Sequence, residues 1–309
     1  MKKRKAIFVS ILLLTCGWNA AADVHIGHIS VEMTDNERGN RKIPVDIYYP
    51  SEDGGPGSSI IISKGQRYPI ICFAHGYLLQ ADLYPNIWEA LVPEGFIMIF
   101  LKTETGLFPS LHELAEDMVF ALAEAERYGR DEESMFYNLV DTMNCVMGHS
   151  MGGRASWLAA AKSPETIKAA VLLAPLYKEA SGPEAETNRN MPLLIISGSN
   201  DCITSTANHA MPLYNESTGD KSTLIEIKGG SHCQMCEDMA LCRFGEAVSL
   251  CKAAISREEQ HAVIERYLVP WLRFYLKGDA DAGALFDSRL SSDAAVSFFR
   301  NEGAAKKQR

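Results

Sequence analysis

The sequence predicts an α/β domain: a mostly parallel central sheet with helices on both faces. Three observations carry this. Short, continuous apolar runs such as Tyr68–Ala74 alternate with amphipathic stretches such as Leu111–Tyr128, as in strands buried on both faces and joined by crossover helices. The runs end in glycine-containing or small polar turns, which punctuate strand-to-helix connections. No internal repeat and no linker-like shift of composition divides the chain, so solenoids and propellers are excluded. Apolar residues make up 47% and charged residues 22%, enough core-forming material to exclude wholesale disorder.

The N-terminus is set apart from the fold. Met1–Lys5 is cationic, Ala6–Leu14 is an apolar run too short to span a bilayer, and Ala20–Ala22 offers an A-x-A site before Asp23. Residues 1–22 therefore read as a signal peptide, placing the protein as secreted or periplasmic. Leu13–Cys16 also resembles a lipobox, so lipidation at Cys16, giving a lipid-anchored lipoprotein, stays open as the alternative. A single N-terminal membrane anchor is the remaining option. Loss of Lys2, Lys3, Arg4 and Lys5 with the leader takes the net charge from −9 to −13. An acidic chain is a poor fit to nucleic acid and to anionic membranes; membrane contact is expected only through a lipid on Cys16.

Next, His28–Met33 and Ile43–Pro50 read as two strands around a polar turn, and Ser51–Arg67, rich in Gly, Ser and Pro, as a loop. Tyr68–Ala74 is a strand, Leu83–Val92 a helix and Phe96–Leu101 a strand. Leu111–Tyr128 is a helix with Leu111, Leu114, Ala115, Met118, Leu122 and Ala125 on one face. Met143–Gly148 is a strand, Met151–Ala161 a helix, and Lys168–Ala174 and Met191–Ser197 are strands. Ser222–Ile227 is expected to be the last strand, and Glu258–Leu276 a long closing helix with Ile264, Leu268, Leu272 and Leu276 on its apolar stripe. Residues 23–300 form the predicted domain and residues 301–309 a frayed polar tail.

Gly148–Gly153 reads G-H-S-M-G-G, a G-x-S-x-G motif between a strand and a helix. Such a turn lifts a serine above the sheet in a strained conformation, and side chains at the flanking glycines would collide with neighbouring elements. Ser150 is thus the candidate nucleophile, with the following helix aiming its N-terminus at the site. In this architecture acid and base follow in order. Asp201 lies just past the strand Pro192–Ser197, on the active edge of a parallel sheet, although it or Asn200 could serve an Asx turn. His232 follows Ser222–Ile227 after a glycine turn and is the candidate base. His149 reads as a packing residue, because neighbours on a tight turn point apart. His75-Gly76 after the first core strand opens a candidate oxyanion loop in which His75 fixes the loop. The N–H groups of Tyr77 and Met151 are the expected donors.

Together these elements resemble the α/β-hydrolase fold over about Val24 to Lys277. Within it the chain looks like the branch holding cutinase-like polyester (PET) hydrolases, platelet-activating-factor acetylhydrolases and dienelactone-hydrolase relatives. The resemblance rests on Val45–Pro50, His75–Tyr77, Gly148–Gly153, Asn200-Asp201 and Gly229–His232. It implies an ester-cleaving Ser-His-Asp enzyme working through an acyl-enzyme, on small-molecule or polymeric esters, with Tyr77 and Met151 lining the site. The polyester hydrolases place a Trp after Ala-Pro; here Ala174-Pro175 is followed by Leu176-Tyr177. Leu78, Leu176 and Tyr177 are therefore the candidate substrate-binding residues. Dienelactone hydrolase proper uses a cysteine nucleophile, where this chain has Ser150.

Seven cysteines follow the leader. Cys72 and Cys145 lie in apolar runs and read as buried small hydrophobes. Five cluster late: Cys202, Cys233, Cys236, Cys242 and Cys251. An odd number leaves at least one thiol free or paired outside the chain. The segment Cys233–Ser256 reads as an insertion, a candidate disulfide-held flap over the site. A Cys202–Cys233 bridge would brace the acid and base loops; two unrelated cysteines are the alternative. A zinc or redox role for Cys233-x-x-Cys236 lacks a second pair, Glu237 and Asp238 lack a histidine at metal spacing, and Gly152-Gly153 lacks the rest of a nucleotide motif. No metal or cofactor is expected. Two further readings remain: an acyltransferase or peptidase using the same triad, and a binding protein with a disabled site, which the filled catalytic positions disfavour.

Overall fold

The computed structural model describes residues 24–63, 65–178, 191–218, 221–248, 251–302 and 305–308. The expected leader, including Cys16, lies outside the described residues, as do residues 179–190.

Two antiparallel strands open the chain, β1 (His25–Asp35) and β2 (Arg41–Ser51), each longer at both ends than the apolar pattern suggests. A two-residue strand, β3 (Gly55–Pro56), pairs with β1 inside the expected loop. The parallel core follows: β4 (Tyr68–Ala74), α1 (Pro85–Leu91), β5 (Ile97–Leu101), α2 (Leu111–Tyr128), β6 (Val140–His149), α3 (Met151–Lys162), β7 (Ile167–Leu173), β8 (Leu193–Gly198), α4 (Met211–Glu216) and β9 (Ser222–Ile227). Next come α5 (Ala240–Val248), α6 (Arg257–Lys277), α7 (Ala280–Ser292), β10 (Val296–Glu302) and β11 (Ala305–Gln308). Among the described residues the strands form one 11-stranded sheet, β11-β10-β9-β8-β7-β6-β4-β5-β2-β1-β3.

Period-two alternation sorts the strand side chains between two cores. From β4, Ile70, Cys72 and Ala74 face α2, α3 and α4, while Ile71 and Phe73 face α1, α6 and α7. The stripe on α2 is buried from Leu114 to Ala125. It also carries Asp117, fully buried and bound by Arg38 Nη2 at 2.7 Å and Arg41 Nε at 2.8 Å. Ser110 caps this helix by accepting from Glu113 N. On α6, Ser256 and Glu259 form a capping box and Gly278 closes the helix in the left-handed region.

Two expectations about the C-terminal end are corrected. Ser222–Ile227 is not the last strand, because β10 pairs antiparallel with it from Val296↔Ile227 to Arg300↔Thr223. Nor do the described residues of the 301–309 segment form a frayed tail: Asn301 and Glu302 end β10, and β11 pairs with it in register Phe299↔Gln308. A ladder is held by backbone groups, so a polar stretch joins the sheet without an apolar signature.

Candidate active site

The C-terminal ends of β4, β6, β8 and β9 converge on one edge of the sheet. β6 delivers Ser150 with φ 56° and ψ −114°, a strained conformation for a residue with a side chain. Its backbone is pinned by Ser150 N to Leu173 O (2.9 Å) and Leu176 N to Ser150 O (2.9 Å). The glycines act sterically, as expected. A Cβ on Gly152 would lie 2.0 Å from Ala74 O, and one on Gly148 would lie 2.3 Å from Gly152 C.

β8 and β9 present the candidate acid and the candidate base. Asp201 and His232 are both buried, and His232 Nδ1 lies 2.8 Å from Asp201 Oδ2. A carboxylate can only accept, so Nδ1 carries the proton and Nε2 is left as the acceptor. Burial alone would raise the Asp201 carboxyl, but bonds from His232 and from the Thr204 N–H and hydroxyl outweigh it and hold the pKa below the ordinary value. Asp201 Oδ1 accepts from Ile203 N (2.8 Å) and Thr204 N (2.7 Å). The two loops touch directly through Asn200 N to Gly230 O at 2.8 Å. A Cβ on Gly198 would lie 2.4 Å from that same carbonyl oxygen. Among the described residues Ser150 Oγ makes no hydrogen bond to His232, but the two line one pocket; catalytic hydrogen bonds are often long without substrate and shorten in the substrate complex.

His75 fixes its loop, with ring nitrogens 2.8 Å from the carbonyl oxygens of Gly76 and Thr103. The Tyr77 hydroxyl donates to Leu107 O at 2.9 Å. The loop bearing Leu107 is held by Glu104, which accepts from Arg41 Nη2 at 2.8 Å. Met151 is the first residue of α3, so its N–H has no acceptor within the helix and is available at the site. His149 is fully buried against the His232 ring, centroids 4.7 Å apart, with Nδ1 3.0 Å from the Tyr84 hydroxyl. Burial drives its pKa well below the ordinary value, which keeps it neutral and suits a packing residue.

The pocket holds about 270 Å³. It is lined by Ser150 and His232 together with Tyr77, Leu78 and Leu79 from the β4 loop, Ile203 from the Asp201 loop, and Met239, Leu241, Cys242, Phe244 and Gly245 from the insertion. Leu78 thus lines it. Leu176 and Tyr177 do not: Leu176 N is bound to the Ser150 carbonyl, and Tyr177 N donates to His209 Nδ1 at 3.0 Å. Both are drawn toward α3 and α4 instead. A larger hollow of about 630 Å³ between α6 and α7 is lined by paired charges, Arg266, Arg273 and Asp279 among them, and contains none of these residues. Among the described residues no group of three or more His, Cys, Asp or Glu could hold a metal ion.

The insertion is disulfide-held and lines the pocket, and of the two readings for Cys202 and Cys233 the direct bridge does not form. Cys202 pairs with Cys251 (Cα–Cα 6.0 Å) and Cys233 with Cys242 (5.6 Å). The insertion runs outward from the base loop and returns over the acid loop, where Asn200 Nδ2 donates to Lys252 O at 2.9 Å. The Asp201 loop and the His232 loop are therefore each tied to the flap. Cys72, Cys145 and Cys236 are free and buried; burial pushes the Cys236 thiol up to about 12.

Three residues that hydrogen-bond to the candidate site are not identified by the sequence. Thr204 Oγ1 lies 2.9 Å from His232 Nδ1, 3.0 Å from Asp201 Oδ2 and 2.9 Å from Ala174 O. Tyr84 accepts from Gly76 N at 3.0 Å. Gln260 on α6 accepts from Ser231 N and donates to Ser231 O, each at 2.9 Å. The one available signal was Gln260 itself, a polar residue in line with the apolar stripe of α6.

A family model described as PET hydrolase-like matches residues 44–301. The chain belongs to the PET hydrolase-like family. Relatives include "Cutinase est2" of Thermobifida alba, 30% identical over 60% of this chain and 56% of that protein. A "Bis(hydroxyethyl) terephthalate hydrolase" of Streptomyces coelicolor is 26% identical over 75% of this chain and 62% of its own length. "Cutinase 1" of Thermobifida cellulosilytica is 27% identical over 60% and 64%. The chain thus spans 56–64% of the length of these relatives. Its mostly parallel, helix-covered sheet is the α/β-hydrolase architecture the motifs implied.

Proposed function

We propose that this protein is an exported serine hydrolase of carboxylic esters, built as one α/β domain behind a removable leader. The observation that carries the reading is a buried, hydrogen-bonded Asp201–His232 pair sharing a pocket with a strained serine at a strand-to-helix turn. The names of the relatives, cutinases and a bis(hydroxyethyl) terephthalate hydrolase, support the same bond type. The two disulfides fit an oxidising compartment, secreted or periplasmic, with the Cys16-anchored lipoprotein as the alternative.

Ser150 Oγ attacks the ester carbonyl while His232 Nε2 takes its proton. Asp201 holds the imidazole by Nδ1 and stabilises the imidazolium. The developing oxyanion sits between the Tyr77 and Met151 N–H groups; a donor of this kind contributes about 3–4 kcal/mol to the barrier reduction. His232 returns the proton to the leaving alkoxide, and water repeats the sequence on the acyl-enzyme. The test is hydrolysis of p-nitrophenyl esters by the protein and by Ser150→Ala. The reading expects turnover that the variant loses by at least about a thousandfold. A folded wild-type protein inert on every ester refutes it.

A further inference from the structure

Three features of the flap converge on the substrate. First, α5 is fixed rather than loosely laid over the site. Cys242 is bonded to Cys233, the residue after the base, and Glu246 one turn on accepts from Cys233 N at 2.7 Å. Second, Leu241, Phe244 and Gly245 of this helix line the same pocket as Ser150, His232, Tyr77 and Leu78. Third, the slot is lined by apolar side chains apart from the reacting groups, so its occupant is uncharged. Resting on the ester-hydrolase reading, we propose that Leu241 and Phe244 are specificity-determining residues that limit the protein to esters with one short, uncharged apolar arm.

The size follows from the volume. A space of about 270 Å³ takes about nine groups the size of a water molecule at about 30 Å³ each, hence an acyl chain of about six to eight carbons with its carbonyl. A wall bonded to the base loop has little freedom to retreat. Longer chains must leave the slot, and a thick, continuous polymer strand meets the same wall.

The experiment is a kcat/KM series on p-nitrophenyl esters from acetate to palmitate for wild type, Phe244→Ala and Leu241→Trp. Burying a methylene contributes about 0.8 kcal/mol, so wild-type kcat/KM should rise about fourfold per methylene and break near hexanoate to octanoate. Phe244→Ala should move the break at least two methylenes longer, and Leu241→Trp should move it shorter. A break at the same length in all three, with esters still being cleaved, overturns the proposal and leaves the hydrolase reading standing. A folded wild type that cleaves no ester removes both.

Discussion

On the proposed reading, Gln260 is the residue by which α6, which α7 follows and which is therefore not the closing helix, positions the base. It is fully buried, and both ends of its amide are used on Ser231, the neighbour of His232. Gln260→Leu keeps the bulk and removes both bonds, leaving the Ser231 N–H and C=O buried without these partners. Each such group costs about 1–3 kcal/mol, so the variant should lose about 2–6 kcal/mol in all. At roughly 2 °C per kcal/mol for a chain of this size, Tm falls by roughly 4–12 °C. The kinetic consequence is separable. The pocket walls come from Tyr77, Leu78 and α5 and are untouched, so KM stays near wild type. His232 loses its registry with Ser150, and a misplacement on the order of 1 Å costs about a hundredfold in kcat. Calorimetry with steady-state kinetics on a p-nitrophenyl ester reads both. Glu258→Ala, two residues away in the exposed first turn of α6, is the control and should stay within about 0.5 kcal/mol. A Gln260→Leu variant with unchanged kcat, or one whose loss is wholly in KM, refutes the positioning role.

Two further outcomes are expected. The Cys202–Cys251 bridge spans 49 residues and Cys233–Cys242 spans 9; loop entropy assigns about 4 and about 3 kcal/mol to them. Cys202→Ala with Cys251→Ala should therefore lower the unfolding midpoint more than Cys233→Ala with Cys242→Ala, and the reverse order contradicts that account. The second concerns acid. Burial holds His149, His209 and His261 below the ordinary histidine value of 6.5. Between the folded and unfolded values the unfolded chain binds more protons, so stability is full above about pH 6.5 and declines as the pH falls. Urea midpoints from pH 8 to 5 should show this slope, and His149→Gln should flatten it; a slope unchanged in that variant counts against a neutral, buried His149.

Much of this architecture is legible because its signals are local. Tyr68–Ala74, Leu111–Tyr128 and Ser222–Ile227 coincide with β4, α2 and β9 as read from apolar runs and periodicity. The order Ser150, Asp201, His232 is visible because each follows a strand at a turn that sterics require. What stayed hidden depends on partners distant in sequence. Asp117 occupies the buried face of α2 only because Arg38 and Arg41 reach it from the β1–β2 hairpin. Thr204 looks like an ordinary turn residue until the fold brings His232 to it. The disulfide partners depend on the path of the flap, which cysteine spacing does not encode. β10 and β11 are recruited by a backbone ladder, and α5 carries its apolar face toward a pocket rather than into a core.

The central claim is that Ser150 is the nucleophile and that His232 activates it. A diethyl p-nitrophenyl phosphate label tests this directly, because the serine that attacks an ester is phosphorylated by this reagent and releases p-nitrophenolate. Peptide mapping by mass spectrometry should place the diethylphosphoryl group on Ser150, at one per chain, in step with loss of esterase activity. Labelling should be slowed by orders of magnitude in His232→Ala. A label on another residue, or inactivation that leaves Ser150 unmodified, contradicts the account.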